Sequence, residues 1–449
     1  MNGLYKQNRR SFLKKIAVGT ATLPFIPSVL SAADSISAQK GRRSLSANSF
    51  INIALIGKGE MGTADANTSL SLGGVKLIGV CDLYDRRLED AKRQWGNDLF
   101  ITKDYKEILS RKDIDAVIIA TPDHWHQSIA IEAMDAGKHV YCEKPVIHKL
   151  KEGKTLIQAQ KKNKVLFQAG NQGMSSWGNR AARLLIHQGI IGPVNFINGQ
   201  FTAAPGKLHA YKAPDDANEK TIWWDRFLGN APKRPFDAQR FFAWRNWMDY
   251  GTGIAGDLFV HVLASVHYIM DAIGPGKVYS TGGIRHYTDG SRDTPDIMLG
   301  YFDYPDRNAL GSFTLQLGAN YVDGISKKWG SADFTIIGSN GSLEVGWDRV
   351  ILKTTYDANV NHFDVLKQLS EVSVVEKISA REFVFHVENG YRGGHYDHHF
   401  NFINSIRNGF PLIADAIFAV RSAAPALLSS ESYLLNEVIK WDAQKLQIE

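Results

Sequence analysis

From residue 51 onward, short apolar runs alternate with segments in which apolar residues recur every three or four positions. Runs of the first kind predict buried strands, and segments of the second kind predict amphipathic helices. The predicted strands are Ile51–Ile56, Val75–Asp82, Ala116–Thr121, His139–Glu143 and Val165–Ala169. The helices predicted between them are Met61–Leu72, Tyr84–Gln94, Trp125–Asp135 and Leu150–Lys162. Because parallel strands need crossover helices, which cover both faces, this alternation predicts a Rossmann-type, doubly wound parallel sheet.

A glycine-rich turn joins the first predicted strand to the first predicted helix. Gly57, Gly59 and Gly62 match the dinucleotide-binding pattern G-x-G-x-x-G, with Glu60 and Met61 in the same turn. Gly57 permits the tight turn, Gly59 lets a pyrophosphate approach the positive end of a helix, and Gly62 allows close helix packing. The strand–turn–helix context makes a dinucleotide site the favoured interpretation over a glycine turn without a ligand.

Asp82 ends the second predicted strand, twenty residues after the third glycine of this turn. A carboxylate at that position accepts hydrogen bonds from the adenosine ribose and repels a 2′-phosphate, which favours NAD over NADP. Arg86 and Arg87 follow closely and weaken this preference, so NADP stays open as an alternative.

The net charge of +6 is concentrated at the front of the chain. Residues 1–33 contain Lys6, Arg9, Arg10, Lys14 and Lys15 and no acidic residue, which leaves the remainder at +1. That remainder gives no indication of a nucleic-acid or membrane-surface partner. No apolar run approaches the roughly 20 residues of a membrane-spanning helix either. We therefore expect an enzyme-like globular chain with a small-molecule partner.

The basic front segment is typical of a twin-arginine export signal. Arg9 and Arg10 precede an apolar stretch at 16–30, and the small residues that follow offer a cleavage site after Ala33. Residues 34–50 then predict a linker. We expect the mature protein in the periplasm, the alternative being a disordered basic terminus.

Cysteine and histidine patterns argue against disulfides and metals. Cys81 and Cys142 end predicted strands, where a small buried thiol is the favoured interpretation, so no disulfide framework is expected. The histidine-rich run at 393–399 lacks a recognisable ligand motif, and we expect no metal there.

Motifs after the third and fourth predicted strands resemble those of the Gfo/Idh/MocA oxidoreductase family, which includes glucose-fructose oxidoreductase and inositol dehydrogenase. They are Thr121–His126 (T-P-D-H-W-H) and Glu143–Pro145 (E-K-P). Further matches are Gly170–Gln172, Trp223–Asp225, Asp249–Gly253, Gly256, Asp257, His261, Thr294–Asp296, Gly338–Gly341, His398, Asn401 and Phe402. The resemblance extends over essentially the whole chain after the linker, and exported members with a twin-arginine signal match best.

The resemblance implies a Rossmann domain at 51–172 and a substrate-binding and oligomerisation domain of α+β type at 173–449. The second domain should contain a large open, mostly antiparallel sheet through which a homo-oligomer forms. Alternating runs predict strands at 194–202, 277–284, 296–302, 311–317 and 333–337. Two late helices, at 397–408 and 414–436, are expected to pack back on the Rossmann domain.

The resemblance also assigns roles to individual residues. Thr121, Pro122, His124, His126, Glu143, Lys144 and Gln172 join the glycine turn and Asp82 in the cofactor site. Lys144 is the catalytic lysine. Asp257 and His261 are four residues apart, so they share a helix face; they match a D-x-x-x-H pair in which His261 is the acid/base and Asp257 orients the substrate or His261. His126 is the next candidate base.

An aromatic band precedes the Asp257–His261 pair. It comprises Trp223, Trp224, Phe241, Phe242, Trp244, Trp247 and Tyr250, and it contains Arg245. Indole faces stack on sugar rings, and an arginine can bind their hydroxyls. We expect Lys144, Arg245, Trp244, Trp247, Asp257 and His261 to bind substrate, although the aromatic band is equally consistent with core packing.

Together these features predict an NAD(P)-dependent oxidoreductase that acts on a hydroxyl of a sugar, glycoside or polyol and holds its cofactor tightly. Two alternatives stay open. One is a glycosidase that uses bound NAD for transient oxidation and elimination. The other is a sugar-binding protein with a vestigial Rossmann site, which the retention of Lys144, Asp257 and His261 disfavours.

Replacing both Arg9 and Arg10 with Lys should abolish export, because the twin-arginine route requires that pair. Cell fractionation and immunoblotting would measure the periplasmic share of the protein. Undiminished export of the double variant would contradict the assignment of a twin-arginine signal.

Overall fold

The computed structural model describes residues 50–206, 211–305, 310–325, 333–369 and 373–449. The expected signal segment with Arg9 and Arg10, and residues 34–49 of the expected linker, lie outside these ranges. Within the ranges, none of the helices combines the length and apolarity needed to cross a membrane.

The first sheet has six parallel strands in the order β3-β2-β1-β4-β5-β6. The strands are β1 (Ile51–Ile56), β2 (Val75–Cys81), β3 (Phe100–Thr102), β4 (Ala116–Ile119), β5 (His139–Glu143) and β6 (Phe167–Gly170). The helices between them are α1 (Glu60–Leu70), α2 (Asp85–Trp95), α3 (Tyr105–Ser110), α4 (Asp123–Asp135) and α5 (Glu152–Asn163). The strand order reverses between β1 and β4, where folds of this kind bind ligands. The predicted Rossmann sheet is confirmed.

Two short elements of this sheet were not predicted. Strand β3 has three residues and helix α3 has six, so neither is long enough to show a period in the sequence. The final strand also lies later than expected, at Phe167–Gly170 instead of Val165–Ala169. The prediction thus missed two short elements and misplaced the bounds of one strand. The order and direction of the strands that it did identify are unchanged.

The second sheet has eleven strands among the described residues, in the order β14-β15-β13-β12-β11-β7-β10-β9-β8-β16-β17. They are β7 (Val194–Thr202), β8 (Lys277–Gly283), β9 (Ile297–Tyr304), β10 (Phe313–Asn320), β11 (Phe334–Gly338), β12 (Gly341–Val345), β13 (Arg349–Thr354), β14 (Ser373–Lys377), β15 (Glu382–Val387), β16 (Ile439–Asp442) and β17 (Gln447–Ile448). Strands β7 and β10 pair in parallel, and the other neighbouring strands in this order pair antiparallel. The expected large, mostly antiparallel sheet is confirmed.

Six further helices accompany this sheet: α6 (Trp177–His187), α7 (Trp224–Leu228), α8 (Ala238–Phe242), α9 (Val260–Met270), α10 (Gly394–Asn408) and α11 (Ala416–Leu435). Short 3₁₀ segments occupy Gln172–Ser175, Trp244–Asn246 and Val360–Gln368, and a π-helical turn, Ala255–Phe259, leads into α9. Helix α9 is buried along nearly its whole length, as expected of a helix that is apolar on all sides. It lies in one continuous apolar core to which both sheets contribute.

The late helices contact the first sheet and its surroundings. Phe402 and Ile403 of α10 belong to the apolar cluster that contains strand β1 residues such as Ile53. Ala414, just before α11, accepts a hydrogen bond of 2.9 Å from the main-chain N–H of Ala169. Helix α9 thus lies in the core shared by both sheets, and α11 packs beside it.

One face of the second sheet presents aromatic residues to solvent. Tyr279 of β8 and Tyr301 of β9 are direct cross-strand neighbours, and both are exposed. Assembly of a homo-oligomer through this sheet stays a prediction.

Candidate active site

The glycine turn between β1 and α1 has the backbone geometry that its sequence predicts. Gly57 has φ of +97°, and a Cβ there would lie 2.5 Å from the carbonyl oxygen of Ala120. A Cβ on Gly62 would lie 2.1 Å from the carbonyl oxygen of Gly57, so this glycine lets α1 pack on the turn. A Cβ on Gly59 would meet nothing within 4 Å. The open side at Gly59, at the start of α1, leaves room for an anionic group to reach the helix N-terminus.

Asp82 follows β2 and is buried beside this turn. Its carboxylate accepts hydrogen bonds from the main-chain N–H groups of Lys58, at 2.8 Å, and Tyr84, at 3.1 Å. The Arg87 guanidinium lies 3.5 Å from the same carboxylate. These contacts fix the Asp82 side chain in the cleft, where it can accept hydrogen bonds from a ribose.

A cavity of about 770 Å³ begins at the glycine turn and follows the carboxyl ends of the parallel strands. This volume lies in the range of about 300–1,000 Å³ that is typical of small-molecule sites. The predicted cofactor residues that line it are Gly57, Gly59, Glu60, Met61, Asp82, Thr121, Pro122, His126, Glu143 and Lys144. The open turn, the ribose-facing carboxylate and the size of the cavity together fit a dinucleotide.

Three predicted cofactor residues do not line the cavity but support it. Gly62 lies beneath the turn, as described above. His124 has its two ring nitrogens 2.8 Å from the Phe227 carbonyl oxygen and 3.3 Å from that of Tyr250. The Gln172 side-chain amide donates hydrogen bonds to Glu143 Oε1 and to the Tyr141 hydroxyl.

The other wall of the cavity comes from a segment that sequence reasoning did not assign to the cofactor. We call residues 211–250 the cover segment. Its cavity-lining residues are Tyr211, Lys212, Arg226, Phe227, Phe241, Phe242, Trp244 and Arg245. The aromatic richness of this segment was visible in the sequence, but its contact with the Rossmann half was not.

Main-chain and side-chain bonds attach the cover segment to the loop after β2. Trp223 N–H donates to the Leu83 carbonyl at 2.9 Å, and Asp85 N–H donates to the Thr221 carbonyl at 3.0 Å. The Tyr84 hydroxyl donates to Asp216 at 2.6 Å. Because these bonds join the two walls, the cavity is a cleft closed along one side.

The aromatic band divides between this cleft and a small core. Trp244 lines the cavity, and the Arg245 guanidinium lies 4.2 Å from its ring centre. Trp247 is not among the cavity-lining residues; it packs in a cluster with Tyr84 and Phe241, with Arg240 over its ring at 3.4 Å. Trp244 and Arg245 are therefore placed to meet a ligand directly, whereas Trp247 supports the cover segment.

At one end of the cavity, Lys144 forms a partly buried ion pair with Asp257. Its Nζ donates to Asp257 Oδ1 at 2.7 Å and to the main-chain oxygen of Asp257 at 2.8 Å. Arg245 Nε donates to the same Oδ1 at 3.3 Å. The Lys144 and Asp257 side chains are only 12% and 14% exposed. Three predicted site residues from distant parts of the chain are thus brought into one cluster.

His261 adjoins this cluster from helix α9. Burial, followed by the charge of Lys144, lowers the pKa of His261 to about 3, while Asp257 acts in the opposite direction. The ring is half-buried, and within the described ranges no hydrogen-bond partner of it is found. A neutral imidazole with an unprotonated ring nitrogen can accept a hydroxyl proton.

His126, the second candidate base, has both ring nitrogens in contact with main-chain carbonyl groups. Its ring nitrogens lie 2.8 Å from the carbonyl oxygens of Thr121 and Pro145. Burial lowers the pKa of His126, so the ring is neutral. Although it borders the cavity, its contacts hold the loop after β4 against the loop that contains Lys144.

Behind the cavity lies a fully buried group of polar side chains. Burial raises the pKa values of Asp65 of α1 and of Glu143, and the charge of Asp65 raises the pKa of Glu143 further. His399 of α10 places Nε2 3.0 Å from Asp65 Oδ1 and Nδ1 2.9 Å from the Ser69 hydroxyl. This group links α10 to the wall of the cofactor cleft.

Neither a disulfide nor a metal-type cluster is found at the site among the described residues, although Cys81 borders the cavity. Cys81 and Cys142 are free and buried, as the sequence indicated, and burial raises the pKa of both thiols. Among the described residues, no group of three or more His, Cys, Asp or Glu side chains is arranged to hold a metal ion.

Comparison with known families agrees with this architecture. Residues 51–171 match the oxidoreductase family model for an NAD-binding Rossmann fold, and residues 229–432 match the model for the family's C-terminal alpha/beta domain. The chain belongs to the Gfo/Idh/MocA oxidoreductase family. The expected cofactor, NAD, is confirmed by the first match.

Curated relatives match over parts of their length. A glycosyl hydrolase family 109 protein of Shewanella baltica is 35% identical over 32% of this chain and 34% of its own. An alpha-N-acetylgalactosaminidase of Shewanella oneidensis is 32% identical over 38% of this chain and 41% of its own. The 2,7-anhydro-N-acetylneuraminate hydratase of Mediterraneibacter gnavus is 23% identical over 57% of this chain and 59% of its own. The chain thus spans less than two thirds of each of these relatives.

Solved structures are similar over most of the chain. Levoglucosan dehydrogenase in complex with NADH and levoglucosan has a TM-score of 0.65 at 18% identity, covering 87% of this chain and 99% of its own. The WlbA dehydrogenase of Bordetella pertussis, in complex with NADH and UDP-GlcNAcA, has a TM-score of 0.63 at 16% identity. The match covers 88% of this chain and 99% of that protein's chain. At this identity the likeness shows a shared fold.

Two glycine substitutions should separate cofactor binding from folding. Gly59→Ala places a methyl group in open space, so the melting temperature should stay near wild type while NAD content falls. Gly62→Ala forces a contact with the Gly57 carbonyl and should cost about 1–3 kcal/mol of stability. Thermal melts and the NAD content of the purified variants would test this, and a wild-type NAD content in Gly59→Ala would contradict the proposed approach of the pyrophosphate.

Proposed function

We propose that this protein is a periplasmic, NAD-dependent oxidoreductase that oxidises a hydroxyl group of a sugar, glycoside or polyol. The observation that supports this most directly is the Lys144–Asp257–Arg245 cluster, with His261 beside it, at the end of a dinucleotide-sized cleft. Sugar-acting relatives and fold neighbours favour the same substrate class.

The residues around the cleft fit NAD. The turn at Gly59 and the N-terminus of α1 would hold the pyrophosphate, and Asp82 would hold the adenosine ribose. Lys144 and Glu143, at the end of β5, border the part of the cavity left for the nicotinamide end. When bound, NAD supplies the hydride acceptor.

Lys144 has the geometry of a group that binds the reacting oxygen. The Asp257 carboxylate and main-chain oxygen hold its ammonium at a fixed position. From there it can donate a hydrogen bond to the substrate hydroxyl and to the carbonyl oxygen that replaces it. Arg245, on the other side of Asp257, keeps the carboxylate oriented.

We assign acceptance of the hydroxyl proton to His261. Because its pKa is about 3, the ring is neutral at neutral pH and offers a lone pair. The hydroxyl proton becomes strongly acidic as hydride leaves the same carbon, so a weak base is sufficient at that stage. The nearby Asp257 charge stabilises the imidazolium that results.

Tight retention of the cofactor follows from the cover segment. An exported enzyme has no assured supply of free dinucleotide, so its cofactor must be kept and recycled. The bonds between the cover segment and the loop after β2 close the adenosine side of the cleft. Recycling would then require a second substrate that returns the hydride.

A second candidate is an NAD-dependent glycosidase, favoured by the names of the matched relatives. That activity oxidises a ring carbon, eliminates the glycosidic group, adds water to the unsaturated ketone that results and then reverses the oxidation. It would give net hydrolysis without net reduction of NAD. Measuring sugar release and nicotinamide absorbance in the same reaction separates the two candidates.

Lys144→Ala and His261→Ala should each lower turnover by about 10²- to 10⁴-fold. The double variant should lose less than the product of the two effects, because groups that act on one proton are coupled. Bound NAD should be retained in all three variants. Turnover and NAD content would be measured with Lys149→Ala, an exposed lysine on the same loop, as the control. Near-wild-type turnover in either single variant would contradict its assigned role.

A further inference from the structure

Two side chains that no part of the proposed reaction uses lie together near His261. Trp347 is in the turn between β12 and β13, and His395 is in the first turn of α10. Their ring centroids are 5.8 Å apart, with the ring planes inclined by 35°. Both side chains are half-buried. The two rings therefore form one mixed aromatic and polar surface.

Close contacts locate this surface next to the reactive end of the cleft. A Cβ on Gly394 would lie 3.0 Å from the main-chain oxygen of Gln172, whose side chain binds Glu143. His395 directly follows Gly394. Its main chain therefore lies near Gln172, whose side chain contacts Glu143 at the end of β5.

The space beside Gly173 locates the indole ring of Trp347. A Cβ on Gly173 would lie 3.5 Å from Trp347 Cζ2 and 3.6 Å from the Ser265 hydroxyl. Ser265 follows His261 by one helical turn of α9. In addition, the electrostatic influence of His395 on the pKa of His261 indicates that the two imidazoles are near each other. Trp347 and His395 thus lie near the part of α9 that contains His261 and Ser265.

The neighbours of His395 have their ring nitrogens engaged, whereas His395 does not. His398 lies between the Ser175 hydroxyl and the Ala169 carbonyl oxygen, each at 2.7 Å. His399 lies between Ser69 and Asp65. Within the described ranges, no hydrogen-bond partner of the His395 ring is found. A half-buried imidazole without a protein partner is available to a ligand.

The chemistry of the pair suits a polyhydroxylated ring. Burial, followed by the charge of His399, lowers the pKa of His395 to about 4, so the ring is neutral at neutral pH. A neutral imidazole offers one N–H donor and one acceptor nitrogen, which match two adjacent hydroxyls. An indole beside it offers an apolar face to the C–H groups of the same ring.

We propose that Trp347 and His395 form a sugar-binding subsite beside His261, in which His395 hydrogen-bonds substrate hydroxyls and Trp347 packs on the ring face. This inference rests on the proposed function and names the residues that hold the substrate for it. It differs from the expectation that Trp247 stacks on the sugar, since Trp247 lies in the aromatic cluster of the cover segment.

The test compares sugar KM, turnover and NAD content in His395→Phe, His395→Gln and Trp347→Leu enzymes, measured on the full chain with its bound NAD. His395→Phe keeps an aromatic ring but loses both hydrogen bonds, and it should raise sugar KM by about 10-fold. His395→Gln retains a donor and an acceptor and should recover part of that loss. Trp347→Leu should also raise KM, with NAD content unchanged in every variant.

His286→Phe is the matched control, because that imidazole is exposed on the second domain. It should leave sugar KM unchanged. Wild-type sugar KM in both His395→Phe and Trp347→Leu would overturn the subsite while leaving the proposed function intact. If the wild-type enzyme oxidises no sugar, glycoside or polyol, the proposed function itself fails and the subsite fails with it.

Discussion

The partly buried ion pair between Lys144 and Asp257 is the contact on which the geometry of the site depends. Lys144 follows strand β5 of the first sheet, and Asp257 lies in the π-helical turn that leads into α9. Burying two charges costs several kcal/mol for each ion unless further hydrogen bonds compensate. Here the main-chain oxygen of Asp257 and the Arg245 guanidinium supply those bonds. Loss of Asp257 would leave the Lys144 ammonium without its carboxylate, and loss of Lys144 would leave Asp257 paired with Arg245 alone. The pair therefore fixes the register between the two halves of the site.

Around this charged cluster, burial shifts the pKa values of several titratable groups toward their neutral forms. Burial lowers the pKa of His124 to about 4 and that of His261 to about 3, and it raises the pKa values of Asp65 and Glu143. Lys144 and Arg245 are the cationic hydrogen-bond donors of the cluster. Such an environment suits a neutral polyhydroxylated substrate, because hydroxyls can both donate to and accept from the neutral imidazoles.

The sequence predicts the site best where a local pattern determines the geometry. The spacing from Gly57 to Gly62 and the position of Asp82 identified the cofactor turn, because backbone conformation and strand ends depend on neighbouring residues. Contacts between distant segments were not predictable in the same way. The bond from Trp223 to Leu83 that attaches the cover segment, and the position of His395 near His261, depend on how the whole chain folds. Aromatic composition alone did not separate Trp244, which lines the cleft, from Trp247, which does not, since both pack against the same small core.

Transfer of deuterium from substrate to bound cofactor tests the central claim most directly. Purified enzyme with its bound NAD would react under single-turnover conditions with glycosides deuterated at the ring carbons. The mass of the cofactor released by denaturation would then be measured by mass spectrometry. Our account predicts reduced cofactor that has gained one deuterium, with the substrate converted to a ketone in equal amount. Cofactor that stays oxidised and free of deuterium throughout, while the enzyme still converts the sugar, would contradict hydride transfer at this site.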